Sequence, residues 1–242
     1  MGPPKTPSDQ LRYALKPGRL SSHGRILAIV EGWPRTFRIL EVGTASGYVG
    51  RELRARGFTQ IIGLEQDPQL ASQATPHYAA VHVVDLDHEP ELHALGRFDA
   101  LVCADVLEHI RDPWRQLRRL SALIRPGGAV IISVPNAVNW TVRLMVLSGR
   151  FEYAERGLVD AGHLRFFTYR TARQLLEQAG LRIQRIIPTP LPIRYACQPW
   201  LAPGLGESVE RMYYAMTLGW KTLLAYQFVL LAERTRVNGE PR

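Results

Sequence analysis

The chain has 242 residues, of which 46% are hydrophobic and 21% charged, so it suits one large α/β domain with insertions better than two independent domains. Its two cysteines exclude a disulfide framework and a cysteine metal site, and they favour a reducing compartment, so we expect a cytoplasmic protein. We expect no secretory signal in Met1–Pro7, and no apolar run in the sequence is long enough to span a bilayer.

The net charge of +8 raises the question of a nucleic-acid or membrane-surface partner. Of the 30 basic residues only Lys5, Lys16 and Lys221 are lysines, and the arginines are scattered along the chain. The one dense group, between Arg111 and Arg125, falls on the polar face of a predicted helix, where solvated charges are expected anyway. We therefore expect no nucleic-acid partner.

The N-terminal half shows a regular alternation of strands and helices. Residues 1–20 are predicted to be a flexible tail, and Ser21–Trp33 a short helix ahead of the first strand. The runs that follow are typical of parallel strands buried on both faces, and their short links predict right-handed crossovers. The predicted strands are Arg38–Val42, Gln60–Leu64, Ala80–Val84, Phe98–Cys103 and Ala129–Val134.

Two helices are marked by their terminal residues. In Asp112–Ile124 the first residue is a good N-cap, Pro113 suits the first helical position, and a Pro-Gly-Gly turn follows. Thr171–Ala179 is predicted to end at Gly180, which suits the position after a helix.

The C-terminal part departs from the alternation, with an irregular insertion at about 137–168 and a second one at about 188–222. The second insertion is rich in proline and is predicted to end in a helix over Glu207–Thr222. Leu181–Ile187 and Leu223–Glu233 are predicted strands, the latter pairing antiparallel at the sheet edge. One domain over residues 21–236 accounts for the whole pattern.

The strongest local signal is the first strand and the turn after it, Glu41-Val-Gly-Thr-Ala-Ser-Gly47. Gly43 and Gly47 allow the backbone to approach a ligand closely. The helix that follows then directs unpaired N–H groups toward that ligand. Any nucleotide-binding fold of this class can show this feature, so the turn alone does not identify the ligand.

Two acids at the ends of the next strands narrow the choice of ligand. Glu65 can accept hydrogen bonds from both hydroxyls of a ribose and would repel a ribose phosphate. Asp85 can accept from an adenine amino group, while the next backbone N–H serves a ring nitrogen; nearby Asp87 is expected to be solvated. The turn lacks the second glycine that a pyrophosphate needs, whereas Glu41 is available near an ammonium group. Together these features favour S-adenosylmethionine over NAD.

Four motifs in order then resemble those of the class I S-adenosylmethionine-dependent methyltransferases, in the small-molecule branch that includes ubiquinone-pathway-like enzymes and type 11 and 23 methyltransferase domains. They are Glu41–Gly47, Phe98–His109, Leu123–Gly128 and Ser133–Asn136, with a weaker continuation over Gly162–Thr168. Ala45 departs from the family pattern, which commonly has glycine there.

The resemblance implies a Rossmann-like α/β fold with a seven-stranded, mostly parallel sheet, helices on both faces and an antiparallel last strand. It implies a cofactor across the carboxyl ends of the first three strands and no metal, and the sequence shows no group spaced for a divalent ion. The expected cofactor-binding residues are Glu41, Gly43, Thr44, Ala45, Gly47, Glu65, Gln66, Asp85, Leu86, Ala104 and Asp105.

The acceptor side offers two candidate bases, His109 and His163, and each has a structural role as its alternative. The latter is also a candidate substrate residue, as are Asn136 and Arg165; the arginine would bind an anionic acceptor or pair with Asp160.

These features predict methyl transfer to a small or medium-sized acceptor, through oxygen, and the resemblance implies a cell-envelope saccharide, lipid or secondary-metabolite pathway. The alternatives are a nucleic-acid or protein methyltransferase and a non-catalytic binding protein with this fold. We expect a monomer or homodimer. Peripheral membrane contact through Met212–Leu231 is a further alternative, although a buried helix and strand explain the apolar density there better.

Overall fold

The strands form one mixed sheet in the computed structural model, which describes residues 18–88, 91–192 and 205–236. Within these residues the sheet has seven strands in the order β3-β2-β1-β4-β5-β7-β6, and this confirms the predicted α/β class. The strands are β1 Ile39–Val42, β2 Ile61–Glu65, β3 Ala80–Val83, β4 Phe98–Ala104, β5 Ile124–Pro135, β6 Leu181–Thr189 and β7 Gln227–Arg234. The helices are α1 Ser22–Val30, α2 Tyr48–Ala55, α3 Pro68–Ala74, α4 Pro113–Ala122, α5 Trp140–Leu147, α6 Tyr169–Gln178, α7 Leu205–Gly219 and α8 Lys221–Leu224.

Alternate residues of the parallel strands enter two separate cores, one on each face of the sheet. Ile39 of β1 and its partner Ala100 of β4 pack with residues of α1 and α2. The next pair, Leu40 and Leu101, packs with residues of α4 and α6 on the other face. All four are fully buried, so a strand in this position is apolar on both of its faces, apart from Glu41 near the end of β1.

The position of the last strand differs from the prediction. β7 runs antiparallel between β5 and β6, and β6 takes the sheet edge instead. The run Phe228–Leu230 is buried, because β7 lies inside the sheet with a neighbouring strand on each side. β6 exposes polar residues such as Arg182, which suits an edge position.

The helix caps follow the predictions, whereas the second half of the chain holds more helix than was predicted. The Asp112 carboxylate accepts from the Arg115 N–H at 3.0 Å, with Pro113 in the first turn of α4. The insertion at 137–168 was expected to be irregular but contains α5, capped by the Asn139 side chain. The predicted helix Glu207–Thr222 is divided into α7 and α8.

Part of the predicted sequence lies outside the described residues. This is the case for Met1–Pro7, most of the predicted tail, Cys197 and most of the proline-rich segment. Among the helices of residues 18–88, 91–192 and 205–236, none is both long enough and apolar enough to cross a membrane.

The strand order places a cleft beside the first strand. From β1 the chain proceeds outward to β2 and β3, and then returns to form β4 on the other side of β1. Ligands of such sheets bind at this reversal, at the carboxyl ends of the strands. The loops that follow β1 and β4 therefore flank the expected site.

Candidate active site

A cavity of about 910 Å³ opens at the carboxyl ends of the parallel strands. Its wall includes predicted cofactor residues from four strand ends and predicted acceptor residues from the loop around His163. The predicted residues on the wall are Gly43, Ala45, Glu65, Gln66, Asp85, Leu86, Ala104, Asp105, His109 and His163.

Left-handed backbone shapes the turn after β1. Gly43, Ala45 and Gly47 have φ angles of +74°, +47° and +85°. A Cβ atom on Gly43 would lie 2.4 Å from Val106 Cγ2, so only glycine fits against the loop after β4. A Cβ atom on Gly47 would instead meet the Ala74 backbone at 2.8 Å, which gives this glycine a packing role away from the cavity.

Glu65 fastens this turn to the end of β2. Its Oε2 accepts from the Ala45 N–H at 2.8 Å and its Oε1 accepts from the Asp67 N–H at 3.0 Å. The first bond holds the left-handed alanine in place, which is how the turn keeps its path without the family's usual glycine. Each carboxylate oxygen can accept more than one hydrogen bond, so Glu65 on the cavity wall can still receive ribose hydroxyls.

Glu41 lies beneath the cavity wall and not on it. Its side chain is buried, and Oε2 accepts from the Tyr78 hydroxyl at 2.9 Å. Burial raises the pKa of the Glu41 carboxyl to about 8. The structure therefore places Glu41 behind the described wall of the cavity, in contact with Tyr78.

The carboxylates that follow β3 have hydrogen-bond partners that the sequence did not indicate. Asp85 accepts from the Asp87 N–H at 2.9 Å and pairs with the His88 ring at 2.7 Å. Asp87 also lines the cavity and accepts from the Arg111 N–H at 3.0 Å, so the expectation that it is merely solvated is wrong.

Asp105 connects three strands at the end of β4. It has a φ of +56°, a conformation that costs energy for a residue with a side chain. Its Oδ1 accepts from Ser133 Oγ at 2.6 Å and from Gln227 Nε2 at 3.0 Å. Sequence reasoning missed Gln227, and the only available signal was a polar residue at the start of an apolar strand.

The two candidate histidines, 54 positions apart, meet on the acceptor side of the cavity. The rings of His109 and His163 lie 4.9 Å apart in an edge-to-face arrangement. His109 Nδ1 lies 2.9 Å from the Gly162 carbonyl oxygen. Burial, and then the neighbouring His109, lower the pKa of His163.

Backbone hydrogen bonds fix this arrangement. The Glu108 carbonyl oxygen accepts from the Leu164 N–H at 2.8 Å and from the Arg165 N–H at 2.9 Å. The insertion that carries His163 is thereby attached to the turn that carries His109.

Glu108, His109 and His163 also form a cluster with potential ligand atoms within 4.8 Å of one another. The prediction that no group is spaced for a divalent ion overlooked this cluster, because its members are far apart along the chain.

The side chains of Asn136 and Arg165 hydrogen-bond to backbone carbonyls, and neither residue is on the described wall of the cavity. The buried Asn136 amide donates to the carbonyls of Ala225 at 2.8 Å and Thr222 at 3.2 Å. The Arg165 guanidinium donates to the Arg111 carbonyl and lies over the Trp114 ring, rather than pairing with Asp160. Thr44 is likewise buried and absent from the described wall.

The cavity is strongly acidic. Among the described residues of its wall, Arg156 is the one arginine or lysine, against seven carboxylates. The carboxylates are Glu65, Asp67, Asp85, Asp87, Asp105, Glu108 and Asp160. The negative electrostatic potential of these carboxylates favours a cationic ligand, and S-adenosylmethionine carries both a sulfonium and an ammonium.

Comparison with known proteins agrees with the motifs and the cavity. A family model described as a methyltransferase domain matches residues 7–186, which is well over half of the chain. The chain belongs to this family. The predicted family is thus confirmed, and S-adenosylmethionine is the cofactor that this family uses.

Its relatives include two named ubiquinone biosynthesis O-methyltransferases. The one from Xanthomonas axonopodis pv. citri is 29% identical over 185 residues, which cover 72% of each chain. The one from Aeromonas salmonicida is 28% identical over 155 residues, 61% of this chain and 63% of the relative, so the match spans less than two thirds of that protein.

Solved methyltransferase structures share the fold. The magnesium protoporphyrin IX methyltransferase of Synechocystis PCC 6803, with bound SAH, has a TM-score of 0.57 and 16% identity, covering 88% of this chain and 84% of that one. A methyltransferase from Mesorhizobium loti has a TM-score of 0.57 and 17% identity, covering 88% and 98%.

Proposed function

We propose that this methyltransferase methylates a hydroxyl oxygen of a small or medium-sized acceptor, with His109 as the general base. The supporting observation is the ring orientation of His109. Because a carbonyl oxygen can only accept, Nδ1 must donate to Gly162, and the neutral ring then carries its lone pair on Nε2. The lowered pKa of His163 keeps that ring uncharged, so it does not oppose protonation of its neighbour.

The cofactor residues fit the group that the family requires. S-adenosylmethionine supplies a methyl group on a sulfonium, which is transferred by direct displacement. We propose that the turn containing Gly43 and Ala45 holds its methionine part, and that Glu65 accepts from the ribose hydroxyls. Asp85 and the Leu86 N–H would then recognise the adenine. Gln66, Ala104 and Asp105 complete this proposed set on the cavity wall.

The proton moves as the methyl group is transferred. The acceptor hydroxyl donates to His109 Nε2, and its O–H bond breaks while the oxygen–methyl bond forms and the carbon–sulfur bond breaks. The products are a methyl ether, S-adenosylhomocysteine and a proton on His109, which is later lost to water.

Three observations support a hydroxyl oxygen of a small acceptor over the alternatives. The relatives from Xanthomonas and Aeromonas are named as O-methyltransferases. Seven carboxylates on the cavity wall oppose a phosphate-rich nucleic acid. The intact turn and acids speak against a protein that has lost its cofactor site.

The test begins with a screen of phenolic, saccharide and lipid hydroxyl acceptors for release of S-adenosylhomocysteine. With a productive acceptor, we expect His109→Ala to lower kcat by about 10²- to 10⁴-fold. The wild-type rate should fall when the pH is lowered, because a proton on the base occupies the lone pair that must accept from the acceptor hydroxyl. His93→Ala is the matched control, because the His93 side chain is 80% exposed.

Two outcomes would contradict this proposal. Unchanged pH profiles in both His109→Ala and His163→Ala would remove histidine from the mechanism. Activity that is lost on chelation and restored by a divalent ion would instead assign the Glu108–His109–His163 cluster to metal binding.

A further inference from the structure

Gln227 is a buried polar residue at the start of β7, whose next five residues are apolar. The buried-segment interpretation of Met212–Leu231 holds for this strand, although side chains of α7 such as Met212 are exposed. Gln227 pairs with Pro135 of β5 and with Thr189 of β6, and it lies on the cavity wall. A buried amide costs free energy unless it is hydrogen-bonded, so the partner of Gln227 explains its place here.

That partner is Asp105, the first residue after β4. A carboxylate can only accept, so the Gln227 amide presents Nε2, which donates to Asp105 Oδ1 at 3.0 Å. Ser133 Oγ donates to the same oxygen at 2.6 Å. The left-handed φ of +56° at Asp105 costs energy, and these two donors hold the residue in that conformation.

The turn that carries His109 leaves the sheet at Asp105. Val106 follows, and its side chain packs against Gly43, where a Cβ atom would lie 2.4 Å from Val106 Cγ2. Leu107–His109 then form one turn of 3₁₀-helix, closed by a bond from the His109 N–H to the Val106 carbonyl at 2.9 Å. Because Asp105 and His109 are only four positions apart, the backbone angles of Asp105 decide where this turn places the imidazole.

We propose that Gln227 is a positioning residue for the methyl transfer, acting through Asp105 on the turn that carries His109. The inference rests on the proposed role of His109 as the general base. Methyl transfer needs the base, the acceptor oxygen and the methyl group to be held together, and a displacement of about 1 Å can cost about 10²-fold in rate. Gln227 transfers no proton in this role; its hydrogen bond keeps Asp105, and with it the turn, in place.

Gln227→Met removes the N–H donor and keeps a similar side-chain volume. We expect kcat to fall about tenfold, because the His109 ring is less well placed. The affinity for S-adenosylmethionine, measured by calorimetry, should change less than about threefold, since most of the proposed contacts, such as that of Glu65, are made elsewhere. Gln184→Met is the matched control and should keep the wild-type kcat, because Gln184 is exposed on the edge strand β6 and donates to Glu233.

A double-mutant cycle tests whether Gln227 acts through Asp105. Asp105→Ala removes the acceptor and disfavours the left-handed conformation, so it should lower kcat at least as much as Gln227→Met does. Adding Gln227→Met to Asp105→Ala should then cost less than about twofold more, because the bond is already gone. Effects that multiply in the double variant would show that Gln227 acts elsewhere, and they would overturn the proposal.

Exchange of the His109 ring proton with solvent reports on positioning without any methyl acceptor. Nδ1 lies 2.9 Å from the Gly162 carbonyl oxygen, and its proton is protected while this bond is kept. Nuclear magnetic resonance of isotope-labelled histidine measures the exchange, and His109→Ala assigns the signal. We expect exchange at least about tenfold faster in Gln227→Met than in wild type or Gln184→Met.

Equal kcat or equal ring exchange in Gln227→Met and wild type would overturn the proposal. So would a lower melting temperature combined with a normal kcat, which is the result expected of a merely structural bond. If Gln227→Met does not fold, Ser133→Ala replaces it, since it removes the other donor to Asp105. Full turnover in His109→Ala would instead contradict the proposed function, and ring exchange would still decide whether Gln227 fixes the turn.

Discussion

The cofactor side and the acceptor side of the cavity are built in different ways. Most of the cofactor side comes from one stretch of chain, residues 41–87, in which each strand end contributes its own turn, as in the bonds from Glu65 to Ala45 and Asp67. The acceptor side is assembled across long sequence separations: the His109 ring bonds to the Gly162 carbonyl, and the Glu108 carbonyl bonds to the Leu164 N–H. Hydrogen bonds between residues that are close in sequence therefore specify the cofactor side, whereas the sheet topology specifies the acceptor side.

The largest expected effect concerns the buried carboxyl beneath the cofactor side. The Glu41 pKa is raised from 4.5 to about 8, so the folded state keeps this proton at pH values where the unfolded state loses it. The resulting contribution to stability is complete below pH 4.5 and is lost as the pH rises to about 8. Linkage gives about 5 kcal/mol at most for this change.

Glu41→Gln should remove that pH dependence while keeping the contact with Tyr78. Urea unfolding at a series of pH values measures it, with Glu177→Gln on the exposed end of α6 as control. If wild type and Glu41→Gln have parallel stability profiles between pH 5 and about 8, Glu41 does not carry the proton.

The next effect distinguishes a structural from a substrate-binding role for Asn136. Asn136→Ala removes a buried hydrogen bond to the Ala225 carbonyl and a partly buried one to the Thr222 carbonyl, and leaves both without this donor. We expect a loss of about 2–4 kcal/mol in the free energy of unfolding. The affinity for S-adenosylmethionine, measured by calorimetry below the melting transition, should stay the same. Normal stability combined with lost turnover would restore the role that the sequence predicted.

Asn136 shows why residues of the acceptor side are harder to place from sequence. A polar residue after a strand can face a ligand or satisfy a backbone carbonyl of another segment. The Ala225 carbonyl that Asn136 contacts belongs to a segment that a local pattern does not place, since it precedes an inserted antiparallel strand.

The residues that sequence reasoning located correctly depend on nearby chain. Asp112 caps α4 three residues away, and Gly43 is required by a turn between consecutive elements. The fold was predictable for the same reason, because a strand covered on both faces shows a mainly apolar run in its own short segment. The edge position of β6 was not predictable from the sequence. It depends on whether β6 or β7 pairs with β5 and so gains a second neighbouring strand.

The third effect tests the cofactor side directly. Glu65→Ala removes the proposed acceptor for the ribose and the anchor of Ala45, and should weaken S-adenosylmethionine binding by about 10- to 100-fold. Calorimetry with S-adenosylmethionine and with NAD measures it, and Glu177→Ala is the surface control. Tighter binding of NAD than of S-adenosylmethionine would contradict the assignment of the cofactor side to S-adenosylmethionine.

The smallest expected effect compares two arginines of the insertion at 137–168. Arg165 contacts the Arg111 carbonyl and the Trp114 ring, whereas Arg156 lies on the cavity wall. Arg165→Gln should change the stability by less than about 1 kcal/mol and leave the acceptor KM unchanged. Arg156→Gln should shift the KM severalfold, and more strongly for acceptors that carry a negative charge, because it removes a positive charge from an acidic cavity. If Arg165→Gln changed the KM and Arg156→Gln did not, the acceptor would approach along a different side of the insertion. Residues 154–166 would then have to rearrange when the acceptor binds, and the sheet topology alone would not specify the acceptor side.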